Sequence, residues 1–339
     1  MSNFGELLKR VVSGAHLDAS QAAEAFGAIM RGEVSEAGMA ALLTALSVRK
    51  PTVAEIVGAV RAMRNAMQTV AAPANAIDVC GTGGDGSGTL NVSTATAFVV
   101  AACGVPVAKH GNRSMSSQTG AADVLDALGV STDLGPEAAA ASLRETGFCF
   151  LFAPRYHTAM KQVAPVRREL GFRTIFNLIG PLSNPAGVRR QLIGVFSKEW
   201  LEPVAESLRE LGTDAAWIVH SDDGLDEISI AAPTQIAVLE GRNISRRTVT
   251  PEDAGLSRSP LSAIAGGDAR ANAAAIRALL AGERSAFRDI VVLNTAAALL
   301  LAGRVVDFRK GAALAAETID SGRAKDVLAR SASVSEMAQ

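Results

Sequence analysis

Hydrophobic positions along the chain change period once. Through residues 1–70 they recur at helical spacing: Leu7, Leu8 and Val11, then Ala23, Phe26 and Met30. Helix-start signals accompany them. Asp18 with Gln21 and Thr52 with Glu55 have capping-box spacing, and Ser35 precedes the periodic run Gly38–Val48. No strand is expected before Ala76–Cys80. The N-terminal part therefore reads as a compact helical unit ending in a plain linker, Val70–Asn75.

From Ile77 short apolar runs alternate with helices. Strands are predicted at Ile77–Cys80, in the VPVAKHG segment, and at Phe148–Phe152, Gln191–Phe196 and Ala215–His220. Helices are predicted at Ser93–Cys103, Gly120–Leu128 and Glu199–Leu211. This alternation predicts an α/β fold, a largely parallel sheet covered by helices. Met160–Ile179 interrupts it, helical and strandless. Gln235–Leu239 and its neighbours read as edge strands, and the chain returns to helix at Asn272–Leu280, Asp289–Leu301 and Gly311–Ile319.

Composition narrows the function classes. With 48% hydrophobic and 20% charged residues the chain is too apolar for disorder, and 339 residues suggest two domains. Lys+Arg 33 against Asp+Glu 34 leaves a net charge of −1, which argues against a nucleic-acid footprint. Cys80, Cys103 and Cys149 lie in apolar runs without metal spacing and read as reduced, buried thiols. The longest apolar stretches, Ala95–Ala108 and Ile290–Val306, are broken by Gly104 and Pro106 and by Asn294 and Arg304. Neither suits a bilayer, and with no signal peptide in view the expectation is a cytoplasmic, soluble protein.

Three segments carry candidate chemistry. The first is Gly81-Thr82-Gly83-Gly84-Asp85-Gly86-Ser87-Gly88-Thr89, leaving a strand and followed by Asn91-Val92-Ser93-Thr94 at a helix start. Such a loop lets backbone N–H groups approach an anion, and the helix N-terminus adds unpaired donors. Asn91, Ser93 and Thr94 are expected to cap that helix. The spacing also fits a dinucleotide fingerprint, but the next strand ends in Lys109 rather than an acid, and Asp85 would repel a bare pyrophosphate. The second segment, Lys109-His110-Gly111-Asn112-Arg113-Ser114-Met115-Ser116-Ser117, combines three cationic or potentially cationic side chains with hydroxyls, and suits a multiply charged phosphate ester. Two anion loops at neighbouring strand ends imply a ligand with phosphates at both ends.

The third is Asp222-Asp223-Gly224-Leu225-Asp226-Glu227, either a solvated turn or a Mg²⁺ site. On a regular strand Asp226 and Glu227 would point to opposite faces, so a shared site requires a strand end or two ions. Arg155, His157, Lys161, Arg167, Arg168 and Arg173 crowd the helical interruption. There His157 and Lys161 are expected on one helix face, and most of these side chains are expected to be solvated. One arginine suits a carboxylate clamp, but spacing does not choose it.

The stretches GTGGDGSGTLNVST, KHGNRSMSSQTGAADVLDALG, APVRRELGFRTIFNLIGPLSNPAG and DGLDEIS closely resemble the anthranilate phosphoribosyltransferase family, and the likeness runs through to NTAAALLLAG. KHGNR followed by two serines, and the GPL-NP segment, are specific to it. GTGGDG is shared with pyrimidine nucleoside phosphorylases, the rival reading on the same fold. A dehydrogenase and a nucleic-acid-binding relative are the rivals from other classes.

The resemblance implies a small all-helical domain (1–70 with 160–186) and a larger domain (71–159 with 187–339) with a mostly parallel central sheet flanked by helices. It implies a cytoplasmic homodimer, paired through the small domain, that uses Mg²⁺ (one or two ions), anthranilate and 5-phosphoribosyl 1-pyrophosphate, and neither nucleic acid nor membrane. By motif, the donor would lie on Gly81, Gly84, Asp85, Thr89, Asn91, Val92, Ser93 and Thr94, on Lys109, His110, Gly111, Asn112, Arg113, Ser114, Met115, Ser116 and Ser117, and on Ala121. Anthranilate would meet Gly81, His110, Asn112 and Arg167, with Arg167 facing its carboxylate. Ser93, Asp226 and Glu227 would bind the metal. The implied catalytic set is Lys109, Asn112, Arg167, Asp226 and Glu227. The chain departs from the family pattern at Leu90, Gln118 and Ala121, commonly Phe, Lys and Ser.

Overall fold

The computed structural model describes residues 3–113 and 119–337. The expected capping boxes form. After α1 (Phe4–Val12), α2 (Ala19–Met30) starts on Asp18 and Gln21, α3 (Glu36–Arg49) on Ser35, and α4 (Val53–Ala66) on Thr52 and Glu55. The buried Glu55 carboxylate also accepts from Leu17 N at 3.0 Å and pairs with Arg49, so one side chain ties the ends of three helices.

Alternation follows as β1 (Ile77–Gly81), α5 (Val92–Ala102), β2 (Val107–Gly111), α6 (Ala121–Leu128), α7 (Pro136–Thr146) and β3 (Phe148–Phe152). The helical interruption holds α8 (Ala153–Tyr156), α9 (Val163–Leu170) and α10 (Ile175–Ile179). Then come β4 (Arg190–Gly194), α11 (Leu201–Glu210), β5 (Ala215–Ser221), β6 (Thr234–Glu240), β7 (Asn243–Val249), α12 (Ala269–Leu280), α13 (Ala286–Leu301), α14 (Phe308–Asp320) and α15 (Arg323–Met337). Hydrophobic spacing does not reveal α7 or α15. In α7 the run of alanines carries little periodic contrast; Pro136 opens it and Gly147, at φ +79°, closes it.

Among the described residues the sheet order is β3-β2-β1-β4-β5-β6-β7, parallel from β3 through β5 and antiparallel at β6 and β7. Order runs outward in both directions from the β1–β4 pair. The C-terminal ends of those strands therefore flank the crevice where open α/β sheets take ligands. Register sets Gly81 opposite Gly194 at that edge.

Side chains alternate between two cores, as the strand period of two requires. Leu192, Trp217, Val219, Ile236 and Val238 share one with α5, α6 and α12–α15. Ile193, Ala216, Ile218, Ala237 and Leu239 share the other with α1–α4 and α9–α11. The N-terminal helices are thus seated on the underside of the sheet. No helix among the described residues is long and apolar enough to cross a membrane.

The approach of α2 to α4 requires Gly58, where a Cβ would come 2.5 Å from both Ala19 O and Ala22 Cβ. Helix propensity alone favours alanine by ~1 kcal/mol, whereas overpacking costs ~1–3 kcal/mol. Overpacking wins here because Ala19 O is backbone and cannot swing aside. Gly58→Ala should lower the melting temperature by several degrees; an equal or higher melting temperature would show that the two helices do not meet this closely.

Candidate active site

The β1–α5 loop is built on glycines in the left-handed region: Gly83, Gly84, Gly86 and Gly88 lie between φ +62° and +78°. Asp85 folds back on it, accepting from Ser87 N at 3.2 Å and Ser87 Oγ at 2.7 Å, with Thr89 Oγ1 3.4 Å from the same hydroxyl. The expected caps of α5 do not form. Asn91 holds the N-cap position, but its side chain donates to Thr119 O (3.4 Å) and accepts from Asn272 Nδ2 (2.9 Å). The Thr94 hydroxyl is buried and has no hydrogen-bond partner among the described residues, and Val92 lies in the core. Glu227 supplies the cap instead, accepting from Ser93 N at 3.1 Å. A carboxylate gains more from a helix N-terminus than a neutral hydroxyl does.

Asp226 reaches the same loop, its Oδ2 accepting from Gly83 N at 3.0 Å. It lies across the paired strand ends: a Cβ on Gly81 would sit 2.6 Å from Asp226 Oδ2, and one on Gly194 would overlap the Asp226 carbonyl. Both acids stand on irregular backbone beyond β5, so the opposite-face restriction of a strand does not apply. Burial, then the Asp85 charge, raises the Asp226 pKa above the ordinary carboxylate range; burial, then the Asp226 charge, does the same for Glu227. Among the described residues no group of three or more His, Cys, Asp or Glu side chains encloses a single point. Two crowded acids beside the Ser93 hydroxyl nevertheless fit Mg²⁺, which takes one or two carboxylates and completes its shell with waters and phosphate.

The β2 loop differs from expectation in three places. Lys109 is 2% exposed, its Nζ donating to Val79 O (2.6 Å) and Ser93 Oγ (3.1 Å), beneath the helix start rather than open to the crevice. His110 is buried, 3.2 Å from His157 between Nε2 atoms; burial, then His157, holds its pKa well below normal, so it is no cation. Burial likewise brings His157 to about 4. Arg113 is occupied by Asp123 (2.5 Å) and Asp126 (2.6 Å) of α6. Asn112 is exposed, its Oδ1 accepting from Arg113 N at 2.8 Å. A Cβ on Gly111 would touch Ala121 at 3.5 Å. Ser114, Met115, Ser116, Ser117 and Gln118 lie outside the described residues.

In the helical layer Arg155, Lys161, Arg168 and Arg173 are exposed as expected, but His157 is buried and Arg167 half-buried. His157 shares no helix face with Lys161, because α8 ends before it and a 3₁₀ turn follows. Arg167 rests over the Phe176 ring at 5.7 Å, and its Nη2 is 3.4 Å from Asn177 Oδ1. It has no acidic partner among the described residues. Arg173 donates to the Gly84 carbonyl and lies 4.5 Å over Phe196, joining this layer to the glycine loop.

The structure thus brings Gly81, Asp85, Ser93, Lys109, Asp226 and Glu227 together, while the bonds of Arg167 stay in the helical layer. The sequence pattern names Arg173 but not its bond to the glycine loop, and it reveals neither Gly194 nor the Asp78–Asn184 tie. Asn184 of the GPLSNP segment donates to Asp78 Oδ2 and Ala108 O, each at 2.8 Å, and Asp78 Oδ1 accepts from His110 N at 3.2 Å. Burial raises the Asp78 pKa to about 6. An Asp inside the apolar strand IDVC was the available signal.

Two family descriptions match the chain: the glycosyl transferase family helical bundle domain over residues 5–67 and its a/b domain over 73–325. Anthranilate phosphoribosyltransferase of Rhodopseudomonas palustris strain BisA53 is 53% identical over 339 residues, covering 100% of each chain. That of Parvibaculum lavamentivorans is 55% identical over 330 residues, covering 97% of each. Among solved structures, the Thermus thermophilus anthranilate phosphoribosyltransferase superposes with a TM-score of 0.93 at 43% identity, over 97% of this chain and 99% of that one. The Saccharomyces cerevisiae enzyme in complex with PRPP and Mg superposes with a TM-score of 0.90 at 27% identity, over 98% of each.

Carboxyl groups with higher pKa values folded than unfolded keep protons that the unfolded chain releases. Their contribution to stability therefore falls as pH rises from the ordinary carboxylate range through neutrality. In EDTA, Asp226→Asn/Glu227→Gln should flatten the decline in melting temperature between about pH 6 and pH 8, since the amide oxygens still accept from Gly83 N and Ser93 N. An identical decline in the double variant would remove the buried-acid account.

Proposed function

The chain belongs to the anthranilate phosphoribosyltransferase family, and from that premise we propose that the donor lies at the strand ends and the acceptor against the helical layer. The activity is Mg²⁺-dependent glycosyl transfer: the phosphoribosyl group of 5-phosphoribosyl 1-pyrophosphate passes to the amine of anthranilate, releasing pyrophosphate, in the second step of tryptophan synthesis from chorismate. The observation that carries the proposed placement is the convergence of Asp226 and Glu227 on Gly83 N and Ser93 N at the β1–β4 switch point.

Ser93, Asp226 and Glu227 would hold the metal, whose chemistry is neutralisation of the pyrophosphate oxygens. Gly81, Gly84, Asp85, Thr89 and Asn91–Thr94 line the donor, with backbone N–H groups and the Thr94 hydroxyl, which has no partner among the described residues, offering donors. Lys109 acts through its field, as the buried counter-charge that opposes the rise in the Asp78 and Glu227 pKa values. Arg113 orders the β2 loop through α6 instead of meeting phosphate directly. Gly81, His110, Asn112 and Arg167 face anthranilate, and the neutral His110–His157 pair adds a polar wall without charge.

The aromatic amine is neutral at physiological pH and needs orientation more than a base. Stabilisation of charge developing on the leaving group then carries the rate. Attack from the opposite face inverts the anomeric carbon with no covalent enzyme intermediate. With the chain divided into 1–70 with 160–186 and 71–159 with 187–339, Arg167 stands on a different unit from the donor groups, which suits closure over the crevice. The homodimer reading is supported by exposed apolar side chains on the helical unit, Val12 (63%), Val48 (81%) and Phe172 (45%). A cytoplasmic setting suits its buried free thiols.

Anthranilate fluorescence should fall on mixing with the donor and Mg²⁺; persistence of the signal at millimolar donor would refute the assignment. Arg167→Ala should raise KM for anthranilate at least thirtyfold, about 2 kcal/mol, with KM for the donor little moved. Equal rises in both constants would dissociate Arg167 from the acceptor.

A further inference from the structure

The crevice acids stand on backbone that no ladder holds. β5 ends at Ser221 and β6 begins at Thr234, and the intervening segment passes through buried surroundings at Leu225, Ile228, Ser229 and Ile230. Buried backbone groups need partners, because an unsatisfied one forfeits its bonds to water without replacement. At Ile228 both are satisfied by one side chain. Ile228 N donates to Asn294 Oδ1 at 3.0 Å, and Asn294 Nδ2 donates to Ile228 O at 2.9 Å.

Asn294 lies in α13, fully buried, and its Nδ2 also donates to Ile290 O of its own helix at 2.9 Å. Turning the amide over would set its oxygen against two carbonyls, so the network fixes its orientation. The residue it grips is next to Glu227. We propose that Asn294 is a positioning residue for metal binding: by clamping Ile228 it holds Glu227, and Asp226 beside it, over the start of α5. The inference rests on the reading that this pair holds Mg²⁺.

The clamp opposes a definite force. Asp85, Asp226 and Glu227 crowd one crevice, where Asp226 N lies 3.5 Å from Asp85 Oδ2, and such acids push apart wherever they are charged. An irregular segment has no neighbouring strand to resist that push. Were Asn294 present only to satisfy buried backbone, its loss would lower the melting temperature and leave metal affinity unmoved.

Mn²⁺ alone, followed by loss of the free-ion electron paramagnetic resonance signal, separates the two roles. Wild type, Asn294→Leu and Asn294→Ser would be compared, with melting curves confirming that each is folded. The serine hydroxyl should turn back to Ile290 O, as Ser207 does to Pro203 O, leaving Ile228 unclamped in a milder variant should leucine prevent folding. The expected result is Mn²⁺ binding weakened about tenfold or more, a matching rise in the metal concentration for half-maximal turnover, and KM for anthranilate unchanged. Mn²⁺ affinity within twofold of wild type in a folded variant overturns the inference. No saturable Mn²⁺ site in wild type instead overturns the metal reading on which it rests.

Discussion

Two glycines that face each other in register make the crevice possible. Gly81 and Gly194 end the central strands β1 and β4, and only their lack of side chains lets the Asp226 segment lie across both. That contact carries Asp226 and Glu227 into a buried place, where each carboxylate forfeits water at a cost of several kcal/mol. A few backbone N–H bonds offset part of this cost, and the two cores on either face of the sheet sustain the rest. The folded chain thus holds two acids whose charged forms burial disfavours and a divalent cation would stabilise. On the proposed metal reading, the stability of the metal-free fold and its readiness for a cation are opposed at this point.

The parts of this arrangement that are local in sequence were legible there. Capping boxes, strand–helix alternation and the glycine loop follow from short-range spacing, and each appears where that spacing places it. What lay hidden was the choice of partner. Nothing in KHGNR says that Arg113 turns to Asp123 and Asp126, or that Lys109 threads beneath Ser93. Charge counting placed both cations in front of a phosphate, but such partners are fixed by the sheet order and by α6. His110 likewise reads as a potential cation in the sequence, where its burial against His157 is invisible. The cap of α5 makes the same point, because a residue far along the chain displaces three local hydroxyl and amide candidates.

Asn294 was visible as an interruption in an otherwise apolar helix, yet only as a break in hydropathy. A lone amide among buried alanines and leucines is costly unless it is fully bonded. The structure shows where the bonds go: to the backbone of the segment that presents the acids. Such a residue is informative because its position cannot be explained by packing. Isolated polar residues in buried helices therefore merit the question of which backbone they hold.

The glycine loop and Arg167, proposed for donor and acceptor, differ in how they are held, and on that proposal the difference bears on specificity. The glycine loop and the start of α5 are fixed from three directions, by Asp226 on Gly83 N, by Glu227 on Ser93 N and by Arg173 on the Gly84 carbonyl. Arg167 is held loosely, by an aromatic face and one long bond to Asn177. Removal from water lowers its pKa, although not enough to discharge a guanidinium. A half-buried cation with no protein anion beside it gains most from a ligand that brings one. A neutral aromatic amine of the same shape would leave that cation uncompensated, whereas an ortho-carboxylate would satisfy it. Under the proposed placement, discrimination among acceptors would follow from this cation, which has no acidic partner among the described residues, and the donor would be recognised by backbone geometry at the strand ends.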